Sequence, residues 1–304
     1  MTTDYDEFAL FHENLEEHDL TVPSLPEVRR QSVELADGRS VSALCWGVGE
    51  PQLVLLHGGA QNAHTWDTVA LALGVPLVAI DLPGHGHSSW RDDGRYLPEV
   101  MAHDMATAVG QLAPGARAVV GMSLGGLTAL ALAGHAPHLV RRLGLVDITP
   151  GVNRTKAKAI IDFVNGPQQF PRFDDLLART MEHHPTRSES SLRRGILHNA
   201  RPLDDGSWVW RYDRRGHARS TDESEAPTID GLSPLWGVLG ATTCPVLLAR
   251  GSVSPVVDDA DVQELLRRRP DARVDVIEGA GHSIQGDRPV ALGHAIRDWA
   301  LDPQ

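Results

Sequence analysis

The chain has 304 residues, 41% of them hydrophobic and 22% charged, with 29 glycines and 20 prolines. That composition excludes a disordered, collagen-like or fibrous protein, and the length fits one large domain or one domain carrying an insertion. Lys and Arg number 28 against 40 Asp and Glu, a formal net charge of −12, so neither nucleic acid nor an anionic membrane surface is the expected partner.

Residues 1–17 are acidic, with no basic stretch leading into an apolar one, so no secretory signal is expected. Every apolar run is far shorter than the roughly 20 residues that cross a bilayer. A cytoplasmic protein without integral membrane association is expected. Cys45 and Cys244 both stand beside apolar runs and read as buried free thiols rather than a disulfide framework.

Residues 27–46 alternate apolar and polar (Val28, Val33, Leu35, then Val41, Ala43, Cys45) around Asp37-Gly38, which predicts an antiparallel hairpin at a sheet edge. Continuous apolar runs follow. They are Leu53 to Leu56 before His57-Gly58-Gly59, Leu77 to Ile80 before Asp81, and Ala118 to Val120 before Gly121. Two later ones are Leu143 to Val146 before Asp147 and Val246 to Ala249 before Arg250-Gly251. Unbroken runs of this length suit strands covered on both faces. Helical spacing separates them at Val100 to Leu112, at Leu124 to Ala133 with Gly134 and Pro137 as stop signals, and at Val262 to Arg269 before Pro270. The alternation predicts an α/β fold, a mostly parallel central sheet flanked by helices. Residues 151–240 break the pattern with helical stretches (Ala157 to Val164, Phe173 to Met181, Leu192 to His198) and the short Trp208 to Tyr212. They read as a helical cap inserted after the strand ending at Asp147, leaving 1–150 and 241–304 as the core domain.

Gly121-Met122-Ser123-Leu124-Gly125 is a Gly-x-Ser-x-Gly with an apolar strand running into it and a helical run leaving it. So sharp a turn strains the serine backbone and requires glycine two residues to either side, where a Cβ would strike the neighbouring helix and strand. Ser123 then stands at the C-terminal end of a central strand, at the positive end of a helix, as a nucleophile would. The backbone N–H of Leu124 is one candidate oxyanion donor, and that of Gly59, after the preceding inner strand, is the second. His282, in the loop Gly279-Ala280-Gly281-His282-Ser283 before the last helix, comes last in chain order, where the Ser…Asp…His order puts the base. His57 and His85 also lie at strand ends and are rivals, although His57 better fits a brace for the oxyanion loop.

The acid departs from expectation. Its usual place, a few residues after the strand Pro245 to Ala249, reads Gly251-Ser252-Val253-Ser254, and a serine holds no imidazolium by charge. Asp147, at the end of the next inner strand after Ser123, is favoured because a rigid sheet positions it. Asp258 or Asp259 remains open, although Asp258 opens a helix and serves naturally as its N-cap. Asp81 is a weaker third.

These residues together resemble the α/β-hydrolase superfamily. More narrowly, His57 to Trp66, Asp81 to Ser88, Gly121 to Gly126 and Gly281 to Gln285 are similar to an actinobacterial group of serine carboxylesterases, as are Leu192 to Gly195 and Trp208 to Asp213. The resemblance implies the α/β-hydrolase fold and a triad of Ser123, Asp147 and His282. It also implies Gly59 and Leu124 as oxyanion donors, and a small-molecule ester with a short or branched acyl chain as substrate.

Other chemistries are weighed against that expectation. His85-Gly86-His87 with Asp92 invites a metal site, but Ser88, Ser89 and Trp90 stand where further ligands would be needed and no His-Glu-x-x-His occurs, so no metal or cofactor is expected. Epoxide hydrolases and haloalkane dehalogenases would carry Asp at position 123. A carbon–carbon bond hydrolase, a lactonase or a cofactor-free haloperoxidase would use the same triad. An aminopeptidase would need acidic cap residues, for which Glu182 and Asp213 are the candidates. A non-turnover receptor on the same fold would differ only in releasing no product. Phe163, Phe170, Phe173, Trp208, Trp210 and Trp236 read as cap packing or pocket lining. The sequence leaves the oligomeric state open.

Overall fold

The computed structural model describes residues 5–215 and 234–301, so residues 216–233 of the expected cap lie outside the described residues. In chain order the strands are β1 (Val28–Glu34), β2 (Ser40–Trp46), β3 (Leu53–Leu56), β4 (Leu77–Ile80), β5 (Ala118–Met122) and β6 (Leu143–Val146). Then come β7 (Gln169–Phe170), β8 (Ala200–Pro202), β9 (Trp208–Trp210), β10 (Val246–Gly251) and β11 (Arg273–Ile277). Eight of them form one sheet in the order β1-β2-β4-β3-β5-β6-β10-β11. The β1–β2 and β2–β4 pairs are antiparallel and the rest parallel. The hairpin turns at Gly38, whose φ of 82° suits glycine.

The unbroken apolar runs follow from this arrangement. Along β3, Val54 and Leu56 enter the core on one face while Leu53 and Leu55 enter the core on the other. Alternating side chains therefore all need to be apolar. The first face is covered by helices α3 (Pro98–Leu112) and α4 (Leu124–His135), the second by α2 (Asp67–Leu73) and the C-terminal helix Pro289–Ala300. Cys45 is buried and Cys244 only half-buried, and both are free thiols. No helix among the described residues is long and apolar enough to cross a membrane.

The insertion is less purely helical than expected. Helices Lys158–Val164, Phe173–His183 and Glu189–Asn199 are joined by a small antiparallel sheet in the order β7-β9-β8, pairing Phe170 with Trp208 and Ala200 with Trp210. Strands of two or three residues carry no readable periodicity, which is why only the aromatic stretch was visible. Val164, Phe170, Leu176, Ile196, Trp210 and Tyr212 form a separate apolar cluster there. The helix Leu235–Ala241, in contrast, puts Leu235, Trp236 and Leu239 into the main core against α4.

The N-terminal segment straps the cap to the core. Helix α1 (Phe11–Glu17) packs Phe11 on Trp46 at 4.9 Å between ring centroids and ion-pairs Glu13 and Glu17 with Arg193 and Arg194 of the cap. Beside it, buried His64 donates Nδ1–H to Asp67 at 2.9 Å and Nε2–H to Glu7 at 3.1 Å, and its ring stacks on His198 of the cap at 3.8 Å. Burial alone would lower the His64 pKa, but the two carboxylates outweigh it and raise it from 6.5 to about 9. Because the folded pKa lies above the unfolded one, this stabilisation is complete below pH 6.5 and is lost as pH rises through about 9. Denaturant midpoints taken at those two limits should fall with rising pH in the native protein, and His64→Gln should flatten that fall.

Candidate active site

The end of β5 and the loops after β3, β10 and β11 converge on a cavity of about 610 Å³. Ser123, between β5 and α4, has φ 51° and ψ −118°, a strained conformation for a non-glycine residue. Glycine is needed on both sides. A Cβ on Gly121 would lie 2.2 Å from the Gly125 carbonyl oxygen, and one on Gly125 would lie 2.3 Å from that of Leu56. The serine N–H donates to Val146 O at 3.2 Å and its carbonyl accepts from Leu127 N at 3.0 Å, which ties the turn to β6 and α4.

Asp147 is fully buried and also has positive φ, 49°. Its N–H donates to Ala249 O at 2.8 Å. The Oδ1 atom accepts from Gly251 N at 2.9 Å, and Oδ2 accepts from Ser254 Oγ at 2.5 Å and from His282 Nδ1 at 2.8 Å. The other ring nitrogen of His282, Nε2, is buried with no hydrogen-bond partner among the described residues. His282 and Ser123 both line the cavity.

Ser254 therefore has a part that its sequence position alone did not reveal. β6 and β10 are adjacent and parallel, so the loops leaving them run side by side. The serine standing where an acid was expected donates to Asp147, the aspartate at the end of the neighbouring strand. The other carboxylates are engaged elsewhere. Asp258 caps the helix Asp259–Arg268 through Asp261 N and pairs with Lys156 at 2.9 Å, while Asp259 pairs with Arg250 on the surface. Asp81 accepts from Ala63 N and His87 N and pairs with Arg30.

The loop after β3 is braced by the two rival histidines. His57 donates Nδ1–H to Gly58 O at 2.7 Å and accepts at Nε2 from Leu82 N at 2.9 Å, and burial lowers its pKa, so the ring is neutral. His85 accepts at Nε2 from Ala60 N at 3.1 Å and contacts Pro83 O through Nδ1. Gly58 N donates to Gln61 Oε1 at 3.0 Å. The amides on both sides of Gly59 are thus committed within the loop, and Gly59 itself faces the cavity. Leu124 is the first residue of α4, in the turn whose N–H groups have no partner within the helix.

Of the cap aromatics, Phe163 and Trp210 line the cavity. Phe170 is buried in the cap cluster, Trp208 packs against Phe173, and Trp236 belongs to the main core. Glu182 stands exposed on the cavity wall, whereas Asp213 accepts from Tyr96 Oη at 2.6 Å and pairs with Arg215. The described residues that cluster metal-binding atoms are His64, Asp67 and His198, not His85, His87 and Asp92. The His64 and His198 rings stack with 10° between their planes, so their in-plane lone pairs run parallel instead of converging on one ion.

The alpha/beta hydrolase family matches residues 53–295. Esterase Rv0045c of Mycobacterium tuberculosis is 45% identical over 97% of this chain and 96% of its own length, and a solved structure of it superposes with a TM-score of 0.85 over 97% of this chain and 99% of that one. The 2-(acetamidomethylene)succinate hydrolase of Mesorhizobium japonicum is 28% identical over 82% of this chain and 87% of its own. A solved structure of an E-2-(acetamidomethylene)succinate hydrolase, 25% identical, superposes with a TM-score of 0.78 over 90% of this chain and 99% of that one.

Two variants separate the carboxylates. Asp258→Ala should cost about 1 kcal/mol of stability through the lost N-cap and leave the His282 ring proton undisturbed in the NMR spectrum. Ser254→Ala should move that resonance, since it strips a donor from the oxygen that His282 contacts.

Proposed function

The chain belongs to the alpha/beta hydrolase family, and we propose that it works as a serine carboxylesterase on small esters. The observation that carries the reading is the contact between His282 Nδ1 and the buried Asp147 carboxylate, with Nε2 left unpartnered beside the cavity that Ser123 also lines. High identity to an esterase supports ester cleavage over the other reactions this constellation serves. A cavity of about 610 Å³ has room for a small-molecule ester.

Ser123 Oγ attacks the ester carbonyl as its proton passes to His282 Nε2. Asp147 holds the ring in the tautomer that leaves Nε2 free to accept, and its charge stabilises the imidazolium that forms. Gly251 N and Ser254 Oγ hold the carboxylate in place for that task. The tetrahedral oxyanion is held by the N–H groups of Gly59 and Leu124, each worth about 3–4 kcal/mol to the transition state. His282 protonates the departing alcohol, and water resolves the acyl-enzyme by the same route in reverse, releasing the acid and restoring Ser123.

A fluorophosphonate probe should label Ser123, and Ser123→Ala should abolish both labelling and turnover of chromogenic esters graded by acyl length. Asp147→Asn should lower kcat by about 10³–10⁴-fold, with Asp258→Asn close to the native protein. The opposite pattern would move the acid to Asp258, and failure to label Ser123 would remove the esterase reading.

A further inference from the structure

Among the described residues lining the cavity, Asn14, Asp67, Arg187, His282 and Gln285 each carry a buried polar atom without a hydrogen-bond partner, and the one on Arg187 belongs to a permanent cation that the chemistry above does not use. Arg187 stands just before the cap helix Glu189–Asn199, and its Nε is buried with no hydrogen-bond partner among the described residues. The Lys and Arg side chains lining the cavity among those residues are Lys156, Arg187 and Arg194. Lys156 pairs with Asp258 and Asp261, and Arg194 pairs with Glu13 and Glu17. Arg187 has no carboxylate within ion-pair distance among the described residues.

Stability does not explain its place. Its Nη2 donates to Ser191 Oγ at 2.5 Å, in the first turn of the helix, where the helix dipole disfavours a cation. Burial pushes its pKa below the ordinary arginine value, and Arg194 pushes the same way. Asp287 and Glu17 oppose this from a distance, but Asp287 accepts from Gly281 N, and Glu17 is taken up by Ser188 and Arg194. A half-buried guanidinium whose Nε is shut away from solvent without a partner is costly unless an anion joins it.

Its position relates it to the reaction. The guanidinium lies against Gly286, where a Cβ would come within 3.0 Å of Cζ and Nη1. Gly286 sits in the short helix Ile284–Asp287, which follows the loop that carries His282. Arg187, Ser123 and His282 line the same cavity, so a group held by the guanidinium shares that cavity with a carbonyl at Ser123. The acyl part of an ester stays bound through both chemical steps, whereas the alcohol must leave after the first. A buried charge-assisted contact serves the part that stays.

We propose that Arg187 forms an anion subsite and that the preferred substrate is a monoester of a dicarboxylic acid, whose free carboxylate the guanidinium binds. The proposal rests on the reading of Ser123 as the residue that takes up the acyl group. The net charge of −12 repels anions at long range, so recognition is local to the cavity.

Monoethyl succinate, glutarate and adipate, compared by acid-release titration with ethyl butanoate, pentanoate and hexanoate, read the subsite as a ratio of kcat/KM. At the best chain length the ratio should favour the charged ester. Arg187→Gln should lower it by about 10-fold or more, Arg187→Lys should restore part of it, and the exposed control Arg172→Gln, away from the cavity, should leave it unchanged. A ratio that never favours the charged ester, or an Arg187→Gln variant that loses both activities in equal proportion, would overturn the subsite. If neither series is hydrolysed, the reading of Ser123 fails instead. Calorimetric titration with adipate then decides the subsite: binding lost in Arg187→Gln upholds it, and no binding, or binding equal in both proteins, refutes it.

Discussion

A fully buried carboxylate is among the costlier things a protein core can hold, and it persists only where donors meet it. Asp147 meets three: the Gly251 amide, the Ser254 hydroxyl and the His282 ring. The first two come from the end of β10 and the loop after it, the third from the loop after β11, and each depends on the sheet being closed in its observed order. The β6–β10 register brings Ala249 O to the Asp147 N–H and sets Gly251 beside its carboxylate. The β10–β11 pairing carries the following loop, and with it His282, to the other oxygen. Electrostatics at the site and register in the sheet are thus one constraint.

Strain is concentrated at the same edge. Ser123, Asp147 and Ala60 are all non-glycine residues at positive φ, and each follows or faces the end of an inner strand. Such conformations cost about 1–3 kcal/mol each and survive only where the surroundings over-determine them. The contacts doing so here are backbone-level: the Ser123 amide on β6, the Asp147 amide on β10, and the Ala60 amide on the His85 ring. A rigid parallel sheet with apolar packing on both faces is what can impose them.

The cap is held differently. Its apolar cluster is small and separate from the two core clusters. Much of its attachment is polar, through α1 and the Glu7–His64–Asp67 tie. Charged attachment of this kind responds to pH and salt in a way the sheet core does not. The cavity therefore has one wall built on the sheet, which carries Ser123 and His282, and one wall from the cap, which carries Arg187 and Arg194.

Local patterns carried the sequence reading far. Unbroken apolar runs, helical spacing and glycines flanking Ser123 are demands made by neighbours in the chain, so the parallel sheet, the edge hairpin and the sharp turn were legible without coordinates. The position of His282 in a glycine-rich loop before the last helix was equally local. The grounds for proposing Asp147 over Asp258 were only partly so: the strand end favours Asp147, but the contact that supports it joins residues 135 positions apart and exists only once β6 and β10 are set side by side. Ser254, read alone, looked like a missing acid; only across the strand pair is it a donor to one. The short cap strands and the unpaired Arg187 belong to the same class. Which groups are buried together, and which are left without a partner, is a property of three-dimensional packing, and no periodicity along one chain records it.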